Sequence, residues 1–278
     1  MDKKVWFITG CSTGFGRELA RYAAAQGDNV IGTLRKQEQI KEFEALSGGK
    51  AVGVKLDVTD PELVKAGAEF ARERFGRVDV LVNNAGYGSM GSVEEVEEEE
   101  MQRQFDVNVF GAVRMTQAIL PIMREQRSGH ILNITSIAGL EGYAGVGIYN
   151  GSKFALEGIG EALARETRHL GIKVTNVEPG PFRTDWAGRS ATYTPSKISD
   201  YAESASKYMQ GIQEASGSQA GDPVKAVKAM YELTLLENPP LHLPLGASAY
   251  ERLRKKLDRF SKEVDEFEYL GLPTDYEG

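Results

Sequence analysis

The chain has 278 residues, of which 41% are hydrophobic and 26% charged, and this is the composition of an ordinary globular protein. Its formal net charge of −7 argues against a general nucleic-acid or anionic-membrane surface. The single cysteine excludes an intrachain disulfide framework and indicates a reducing compartment, so a cytoplasmic protein is expected.

The sequence predicts no metal site, export signal or membrane-spanning segment. The possible zinc ligands His130, His169, His242 and Cys11 are too widely scattered to suggest a site. The N-terminal residues lead directly into an apolar strand, without a signal-peptide region. No uninterrupted apolar run approaches the length of about 18 residues that a transmembrane helix needs. We therefore expect neither nucleic acid nor a membrane among the partners.

Short apolar runs alternate with amphipathic helical segments over the first two thirds of the chain. Strands are predicted at residues 5–9, 29–34, 51–56, 78–82, 130–135 and 173–178. Helices are predicted at residues 14–26, 36–46, 61–75, 98–126 and 147–170. Such alternation implies right-handed crossovers and a parallel sheet covered on both faces. The predicted fold class is therefore α/β, a doubly wound, three-layer Rossmann fold forming a single domain over residues 1–278.

The composition changes after the sixth predicted strand. Residues 181–221 are rich in Ser, Thr, Ala and Gly with interspersed aromatics, which predicts a mobile lid over a pocket; an ordinary helical excursion is the alternative. A helix to about residue 236 and a last strand at 241–243 follow. Apolar residues then recur at spacings of four and three, which predicts an amphipathic C-terminal helix over about 247–268. It packs on its own domain or on a neighbouring subunit.

A glycine-rich turn between the first strand and the first helix predicts a phosphate-binding site. Glycines permit a tight turn there and let backbone N–H groups approach a pyrophosphate at the helix N-terminus. The spacing is G-x-x-x-G-x-G, which differs from the usual dinucleotide fingerprint. The candidate cofactor residues are Gly10, Ser12, Thr13, Gly14, Phe15 and Gly16.

The end of the second strand favours NADP(H) over NAD(H). An NAD site requires an acid there, but Leu34 occupies that position, followed by Arg35 and Lys36. A guanidinium suits a 2′-phosphate, and the Ser12 hydroxyl adds a donor. Alternatively, the two basic residues simply open a solvated helix. Asp57 is placed to accept from the adenine amino group, with a capping role as its alternative.

Residues 136–153 contain the candidate catalytic groups. Tyr149 and Lys153 are four residues apart, so on a helix they share a face. A nearby ammonium favours the phenolate and moves the tyrosine pKa from about 10 toward neutrality. Ser136 ends a predicted strand, where its hydroxyl could hold a carbonyl oxygen. A surface tyrosine and lysine that share a helix face by chance are the alternative.

These motifs together resemble the short-chain dehydrogenase/reductase family over essentially the whole chain. The resemblance is carried by TGCSTGFG at residues 9–16, NNAG at 83–86, Asn108, then Ser136, Tyr149 and Lys153, and finally Pro179-Gly180 with Phe182 and Thr184. The second strand end and the glycine motif are more similar to hydroxysteroid and retinol dehydrogenases than to fatty-acid ketoreductases. The C-terminal tail resembles bacterial members of unassigned substrate.

The resemblance implies a role for each matching residue. Tyr149 would be the general acid/base, Lys153 would lower the tyrosine pKa and bind the nicotinamide ribose, and Ser136 would polarise the carbonyl. Asn108 would distort its helix and hold a water that connects Lys153 to solvent. Further cofactor contacts are expected from Val58, Asn84, Ala85, Gly86, Pro179, Phe182 and Thr184.

The expected activity is NADP(H)-dependent interconversion of a ketone or aldehyde and an alcohol. Tyr143, Trp186 and Tyr193 suggest an apolar or ring-bearing substrate, unless these aromatics only pack the lid. The alternatives are a 3-oxoacyl thioester reductase and, from a different class, a catalytically silent dinucleotide sensor. The family resemblance implies a homodimer or homotetramer paired through the helices at 98–126 and 147–170.

Overall fold

The computed structural model describes residues 3–276. Its strands are β1 Val5–Ile8, β2 Asn29–Leu34, β3 Ala51–Lys55, β4 Val80–Asn83, β5 Gly88–Met90, β6 Gly129–Ile134, β7 Ile172–Pro179, β8 Ala191–Tyr193 and β9 His242–Leu245. Its α-helices are α1 Gly14–Ala25, α2 Glu38–Leu46, α3 Pro61–Phe75, α4 Glu98–Phe105, α5 Gly111–Gln126, α6 Gly147–Thr167, α7 Lys207–Glu214, α8 Pro223–Leu233 and α9 Ala247–Gly271.

Seven strands form one parallel sheet in the order β3-β2-β1-β4-β6-β7-β9. The chain winds outward from β1 to β3, then returns to the centre and winds the other way from β4. The predicted doubly wound α/β fold is therefore confirmed, with β9 as a seventh strand where a last strand was expected. Ligands in such sheets bind beyond the carboxyl ends of the strands where the order reverses, which here lies between β1 and β4.

Helices cover both faces of the sheet because the central strands are apolar on both sides. In β1, Trp6 and Ile8 pack into the core cluster on the face covered by α1 and α8, whereas Val5 and Phe7 pack on the face covered by α3 and α5. All four side chains are buried. Strands buried on both faces read as continuous apolar runs, which explains why these strands could be located from sequence.

The predicted helix at 98–126 is interrupted. Asp106–Phe110 form a π-helical turn between α4 and α5. Asn108 lies in this turn and is buried, and its side chain bonds the backbone of Tyr87. Because π-turns insert an extra residue, they rotate the flanking helices relative to one another, which hydrophobic periodicity alone did not show.

The segment 181–221, which was expected to be a lid, is attached to the body through strand pairing and hydrogen bonds. Its strand β8 pairs in parallel with β5, forming a small second sheet that was not predicted. Glu95 accepts a hydrogen bond from the backbone of Ile198, and Tyr201 donates to Glu94. The first residues of the acidic run 94–100 therefore hold this segment to the body. Helix α4 begins only at Glu98.

The C-terminal helix lies at the periphery of the fold. Helix α9 extends to Gly271 and carries a row of exposed apolar side chains on its outer part. Among residues 3–276, the helices are all too short or too polar to cross a bilayer.

Candidate active site

A cavity of about 1500 Å³ lies at the carboxyl ends of the strands, at the point where the strand order reverses. The turn after β1, the end of β2 and the start of α6 all contribute to its wall. Most of the predicted site residues line it: Gly10, Ser12, Thr13, Gly14, Phe15, Arg35, Lys36, Asp57, Val58, Asn84, Ala85, Gly86, Ser136, Tyr143, Tyr149, Lys153, Pro179, Phe182, Thr184 and Trp186. Gly16, Asn108 and Tyr193 lie behind the wall.

The glycine turn depends on close backbone packing. Gly10 has φ +69° and Gly14 has φ +60°, a region that favours glycine. A Cβ on Gly16 would lie 2.5 Å from the carbonyl oxygen of Gly10 and would overlap the side-chain amide of Asn84. Gly16 therefore contributes by packing, which explains why it does not line the cavity.

Asn84 and Thr9 join the glycine turn to the end of β4. The Asn84 amide donates to the carbonyl oxygens of Thr9 at 2.8 Å and Gly10 at 3.0 Å. The Thr9 hydroxyl in turn accepts from the backbone N–H groups of Asn84 and Ala85, each at 2.9 Å. Thr9 is a positioning residue that the sequence analysis did not single out, although it begins the glycine motif.

The basic side chains after β2 are available to a ligand. Arg35 and Lys36 line the cavity and are exposed, and within residues 3–276 neither forms an ion pair. The position at which an NAD site would carry an acid is occupied by Leu34, whose side chain is buried in the core. Asp57 lines the cavity too, and its carboxylate accepts from the backbone and hydroxyl of Thr59, whereas the N-cap of α3 is Asp60.

Helix α6 places Tyr149 and Lys153 on one buried face, opposite Ser136. Tyr149 and Lys153 are each only 6% exposed. The Lys153 ammonium lies 5.8 Å from the centre of the Tyr149 ring, and Trp186 packs on the same ring at 5.1 Å. Ser136 caps the short 3₁₀ turn after β6 by accepting from the backbone of Ala138 at 3.0 Å. One wall of the cavity therefore carries the hydroxyl, the phenol and the amine.

The Lys153 ammonium donates to the carbonyl oxygen of Ile134 at 2.8 Å. A Cβ on Gly86 would lie 3.7 Å from this nitrogen and 3.1 Å from the side-chain oxygen of Asn108, so the three groups are neighbours. The Asn108 amide also donates to the hydroxyl of Ser152 at 3.2 Å. The π-turn therefore brings Asn108 near the lysine.

Burial dominates the titration of the two candidate catalytic groups. It raises the pKa of Tyr149 to about 12, against a lowering hydrogen bond from Ser136. Burial also lowers the pKa of Lys153 to about 8, against the raising influence of the Glu157 carboxylate. The expected lowering of the tyrosine pKa by the lysine is not seen, because the ammonium donates to Ile134 and the phenol is desolvated.

A cluster that the sequence analysis missed lies behind Lys153. Glu157, Glu178 and His242 each place one possible ligand atom within 4.8 Å of the others. The His242 ring bonds the Glu178 carboxyl at 2.7 Å, and Asn176 donates to Glu157 at 2.6 Å. Two carboxylates and an imidazole could hold a divalent cation. The expectation of no metal site considered histidine and cysteine alone, and nothing in the sequence showed that α6, β7 and β9 meet here.

Burial favours the protonated form of both carboxyl groups. Burial raises the pKa of Glu157 to about 7 and that of Glu178 to about 8. Each of the two carboxyl groups has one oxygen, Oε1 of Glu157 and Oε2 of Glu178, that is buried without a hydrogen-bond partner among the described residues. A protonated carboxyl group is less costly in such a place than a carboxylate.

We expect Glu178→Gln to stabilise the protein selectively at alkaline pH. A carboxyl pKa raised by folding contributes stability that is present at low pH and is lost as pH rises through the folded pKa. In EDTA, denaturant unfolding should therefore show equal stability for variant and parent at about pH 4, below the unfolded carboxyl pKa. At pH 8.5 the variant should be more stable by about 2 kcal/mol, less than the full shift at 1.36 kcal/mol per unit because the hydrogen bond with the His242 ring offsets part of the desolvation cost.

Glu161→Gln is the matched control, since Glu161 lies 3.8 Å from the same imidazole but has a half-exposed side chain. It should leave the pH dependence unchanged. A parent and a Glu178→Gln variant with parallel pH profiles would show that these carboxyls are not protonated in the folded protein.

The end of the cavity next to Tyr149 is aromatic. Trp186 and Tyr143 line it, and Tyr143 stacks on Tyr208 with ring centres 5.7 Å apart. Arg252 of α9 lies over the Tyr143 ring at 5.1 Å and also lines the cavity. Tyr193, by contrast, packs into the cluster beneath the lid segment, as the alternative reading of these aromatics proposed.

A parallel sheet of this order, with a glycine turn at its reversal point, defines the class of dinucleotide-binding α/β proteins. Comparison with known proteins identifies the family. The family model for short chain dehydrogenases matches residues 4–193. The chain belongs to the short-chain dehydrogenase/reductase family, which confirms the resemblance seen in the motifs.

Relatives of this chain include oxidoreductases with and without named substrates. Oxidoreductase BOA17 of Botryotinia fuckeliana is 37% identical over 98% of this chain and 99% of its own length. The 3-ketodihydrosphingosine reductase of Bacteroides thetaiotaomicron is 37% identical over 88% of this chain and 89% of its own. Human retinol dehydrogenase 8 is 42% identical over 66% of this chain and 60% of its own.

Solved structures of the family superpose closely. A short-chain dehydrogenase from Streptomyces avermitilis has a TM-score of 0.93 and 42% identity over 99% of each chain. A family member from Burkholderia phymatum in complex with NAD has a TM-score of 0.82 and 26% identity, covering 94% of this chain and 95% of its own. ElxO with NADP bound has a TM-score of 0.75 and 27% identity, covering 90% and 100%. The protein is an oxidoreductase of this family, with a nicotinamide dinucleotide as its cofactor.

Proposed function

We propose that the protein interconverts a ketone or aldehyde and an alcohol with NADP(H), using Tyr149 as the general acid/base. The observation that supports this most is the shared wall: Ser136, Tyr149 and Lys153 line the same cavity as the glycine turn. A substrate oxygen bound there lies next to a proton source, and a cofactor on the glycine turn shares the cavity with it.

In this proposal each side chain has a separate task. The bound nicotinamide supplies the hydride in reduction and accepts it in oxidation. The Ser136 hydroxyl orients and polarises the carbonyl oxygen. Tyr149 transfers its hydroxyl proton to that oxygen as the alcohol forms, and Lys153 would bind the nicotinamide ribose. A pKa of about 12 keeps Tyr149 protonated at neutral pH, which is the state that reduction requires.

Proton return is proposed to pass by Lys153 and Asn108. Tyr149 and Lys153 are nearly enclosed, so the tyrosinate must regain its proton through a defined route. Asn108 is fixed by hydrogen bonds to the backbone of Tyr87 and lies beside the lysine nitrogen. We propose that this buried amide orients a water molecule between Lys153 and solvent.

The NADP(H) preference rests on Arg35 and Lys36. Both line the cavity after β2, both are exposed, and neither is paired with an acid in the described part of the chain. A 2′-phosphate would gain a bidentate partner in Arg35, whereas the position that would bind the ribose hydroxyls of NAD carries the apolar Leu34.

An apolar or ring-bearing substrate is proposed from the aromatic end of the cavity. Trp186 packs on the catalytic tyrosine, and the Tyr143–Tyr208 stack forms a second apolar wall. Two relatives support this class, because their names give reduction of 3-ketodihydrosphingosine and dehydrogenation of retinol, both of which consist largely of hydrocarbon.

A substrate panel with NADPH and NADP⁺ tests the proposal. We expect NADPH oxidation with ring-bearing ketones or aldehydes and little turnover of 3-oxoacyl thioesters. Preferred turnover of the thioesters would instead establish the acyl-reductase alternative. Tight NADPH binding without turnover of any carbonyl or alcohol would leave the dinucleotide-sensing alternative, which the complete Ser136, Tyr149 and Lys153 set argues against.

Three broader proposals accompany this activity. We propose that residues 1–278 act as one oxidoreductase domain, with the segment 181–221 as the lid over the substrate. A homodimer or homotetramer paired through α4, α5 and α6 is proposed because Phe110 in the π-turn between α4 and α5 is exposed, as are Phe154 and Ile159 on α6. A cytoplasmic location is proposed from the lone buried Cys11.

A further inference from the structure

Helix α9 carries an apolar stripe that its own domain does not cover. The stripe consists of Tyr250, Leu253, Leu257, Phe260, Val264 and Phe267, which recur at alternating spacings of three and four. Apart from the half-buried Leu253, these side chains are between 42% and 58% exposed. This is the a/d pattern by which one helix packs against another.

The contacts of α9 with its own domain lie on a different side of the helix. Arg259 bonds Glu141 at 3.1 Å, and Arg252, seven residues earlier, lies over the ring of Tyr143. A third side is solvated and carries ion pairs within the helix, from Lys255 to Glu251 and from Lys262 to Asp258. The first half of α9 is thus fixed on the domain, while the stripe faces away from it.

The charges of α9 are divided between its two halves. Residues 251–262 contain six Lys or Arg and two acids, whereas residues 263–271 contain four acids and no Lys or Arg. Two copies of this helix packed side by side in the same direction would place like charges together. Packed in opposite directions about the middle of the stripe, residues 263–266 of each helix, which include three acids, would lie along residues 251–254 of the other, which include Arg252 and Arg254.

We propose that α9 is a self-association surface, on which a second copy of this chain docks its own α9 in the antiparallel direction. The arrangement is a two-fold symmetric contact, in which the same stripe serves both subunits. It is distinct from the pairing proposed above for α4, α5 and α6, and the two contacts together would build a larger assembly.

The stripe also determines the register. All six apolar residues are matched when Leu257 meets the partner's Phe260, Leu253 meets the partner's Val264 and Tyr250 meets the partner's Phe267. The two-fold axis then passes between Asp258 and Arg259. Next to the stripe, Lys256 lies opposite the partner's Glu263, and symmetry repeats this pair. Within residues 3–276, neither Lys256 nor Glu263 forms an ion pair.

Light scattering and sedimentation of the full chain test the contact. We expect Phe260→Glu to halve the mass of the assembly, because it places two carboxylates in the stripe. Its fold should survive, since Phe260 is already half exposed. An unchanged assembly mass for this variant, or a wild-type protein that is monomeric throughout, would overturn the proposal.

A charge swap tests the register and direction. Lys256→Glu should weaken association about tenfold, because each interface loses two attractive pairs and gains two repulsive ones. Adding Glu263→Lys to it should restore the wild-type affinity to within about twofold. Lys262→Glu, the same charge change on the solvated side, should have no effect. Weakening without restoration in the double variant contradicts the antiparallel register.

A distance measurement separates the two directions independently. Spin labels on Tyr269→Cys should lie about 30 Å apart in the antiparallel pair and about 10 Å apart in a parallel one. Native Cys11 is 1% exposed and does not compete for the label. A parallel distance overturns the proposal. The proposal is also overturned if the protein is monomeric and its α9 binds vesicles of phosphatidylcholine with one fifth phosphatidylglycerol instead of a second copy of the chain. None of these measurements depends on catalytic activity.

Discussion

Tyr149→Phe is expected to lower turnover by about a thousandfold while NADPH binding stays within about twofold of the wild type. General acid/base catalysis contributes about 10² to 10⁴ to rate, and the substitution removes only the hydroxyl that carries the proton. The ring that packs on Trp186 is retained, so the cavity wall keeps its shape. Steady-state kinetics on the best substrate of the panel and NADPH fluorescence titration measure the two quantities.

Tyr231→Phe is the matched control for this loss. The Tyr231 hydroxyl donates to Asp28, and the Tyr231 ring stacks on Trp6, away from the cavity. This variant should retain the wild-type rate. A Tyr149→Phe protein at full rate would show that another group delivers the proton and would remove the proposed mechanism.

Arg35→Ala is expected to raise the dissociation constant of NADPH by about 10- to 100-fold and to leave that of NADH unchanged. Hydrogen bonds to a charged group contribute about 1.5–3 kcal/mol, and each 1.4 kcal/mol is tenfold in affinity. Only NADPH carries the 2′-phosphate that the guanidinium would bind. The affinities can be measured by fluorescence titration of both cofactors with the wild type and the variant.

Arg17→Ala provides the control for a general loss of positive charge. Arg17 lies on α1 and is paired with Glu42 at 2.9 Å, so it is already neutralised and does not line the cavity. It should have little effect on either cofactor. Equal affinity of the wild type for NADH and NADPH, unaltered by Arg35→Ala, would refute the proposed preference.

The charged groups around Lys153 also affect the proposed catalysis. Glu157 lies one turn beyond the lysine on α6, and its carboxylate favours the charged ammonium. The protonation of Glu157 depends in turn on Glu178 and His242, which come from β7 and β9. The charge behind the catalytic lysine therefore depends on strands that are distant in sequence.

The sequence by itself determined those features that depend on near neighbours. Continuous apolar runs indicated strands buried on both faces, and their alternation with helices indicated a doubly wound sheet. The four-residue spacing of Tyr149 and Lys153 placed them on one face of α6, because the helical repeat is a local property. Gly10, Gly14 and Gly16 after the first strand likewise indicated the cofactor turn.

Other features depended on where distant segments meet, and only the tertiary structure decided them. The meeting of Glu157, Glu178 and His242 follows from the adjacency of α6, β7 and β9. Tyr193 points into the packing under the lid segment because β8 pairs with β5, a pairing with no local signal. Tyr149 has a raised pKa because burial outweighs the lowering hydrogen bond with Ser136. Desolvation depends on everything that surrounds a group, and spacing along the chain carries only part of that information.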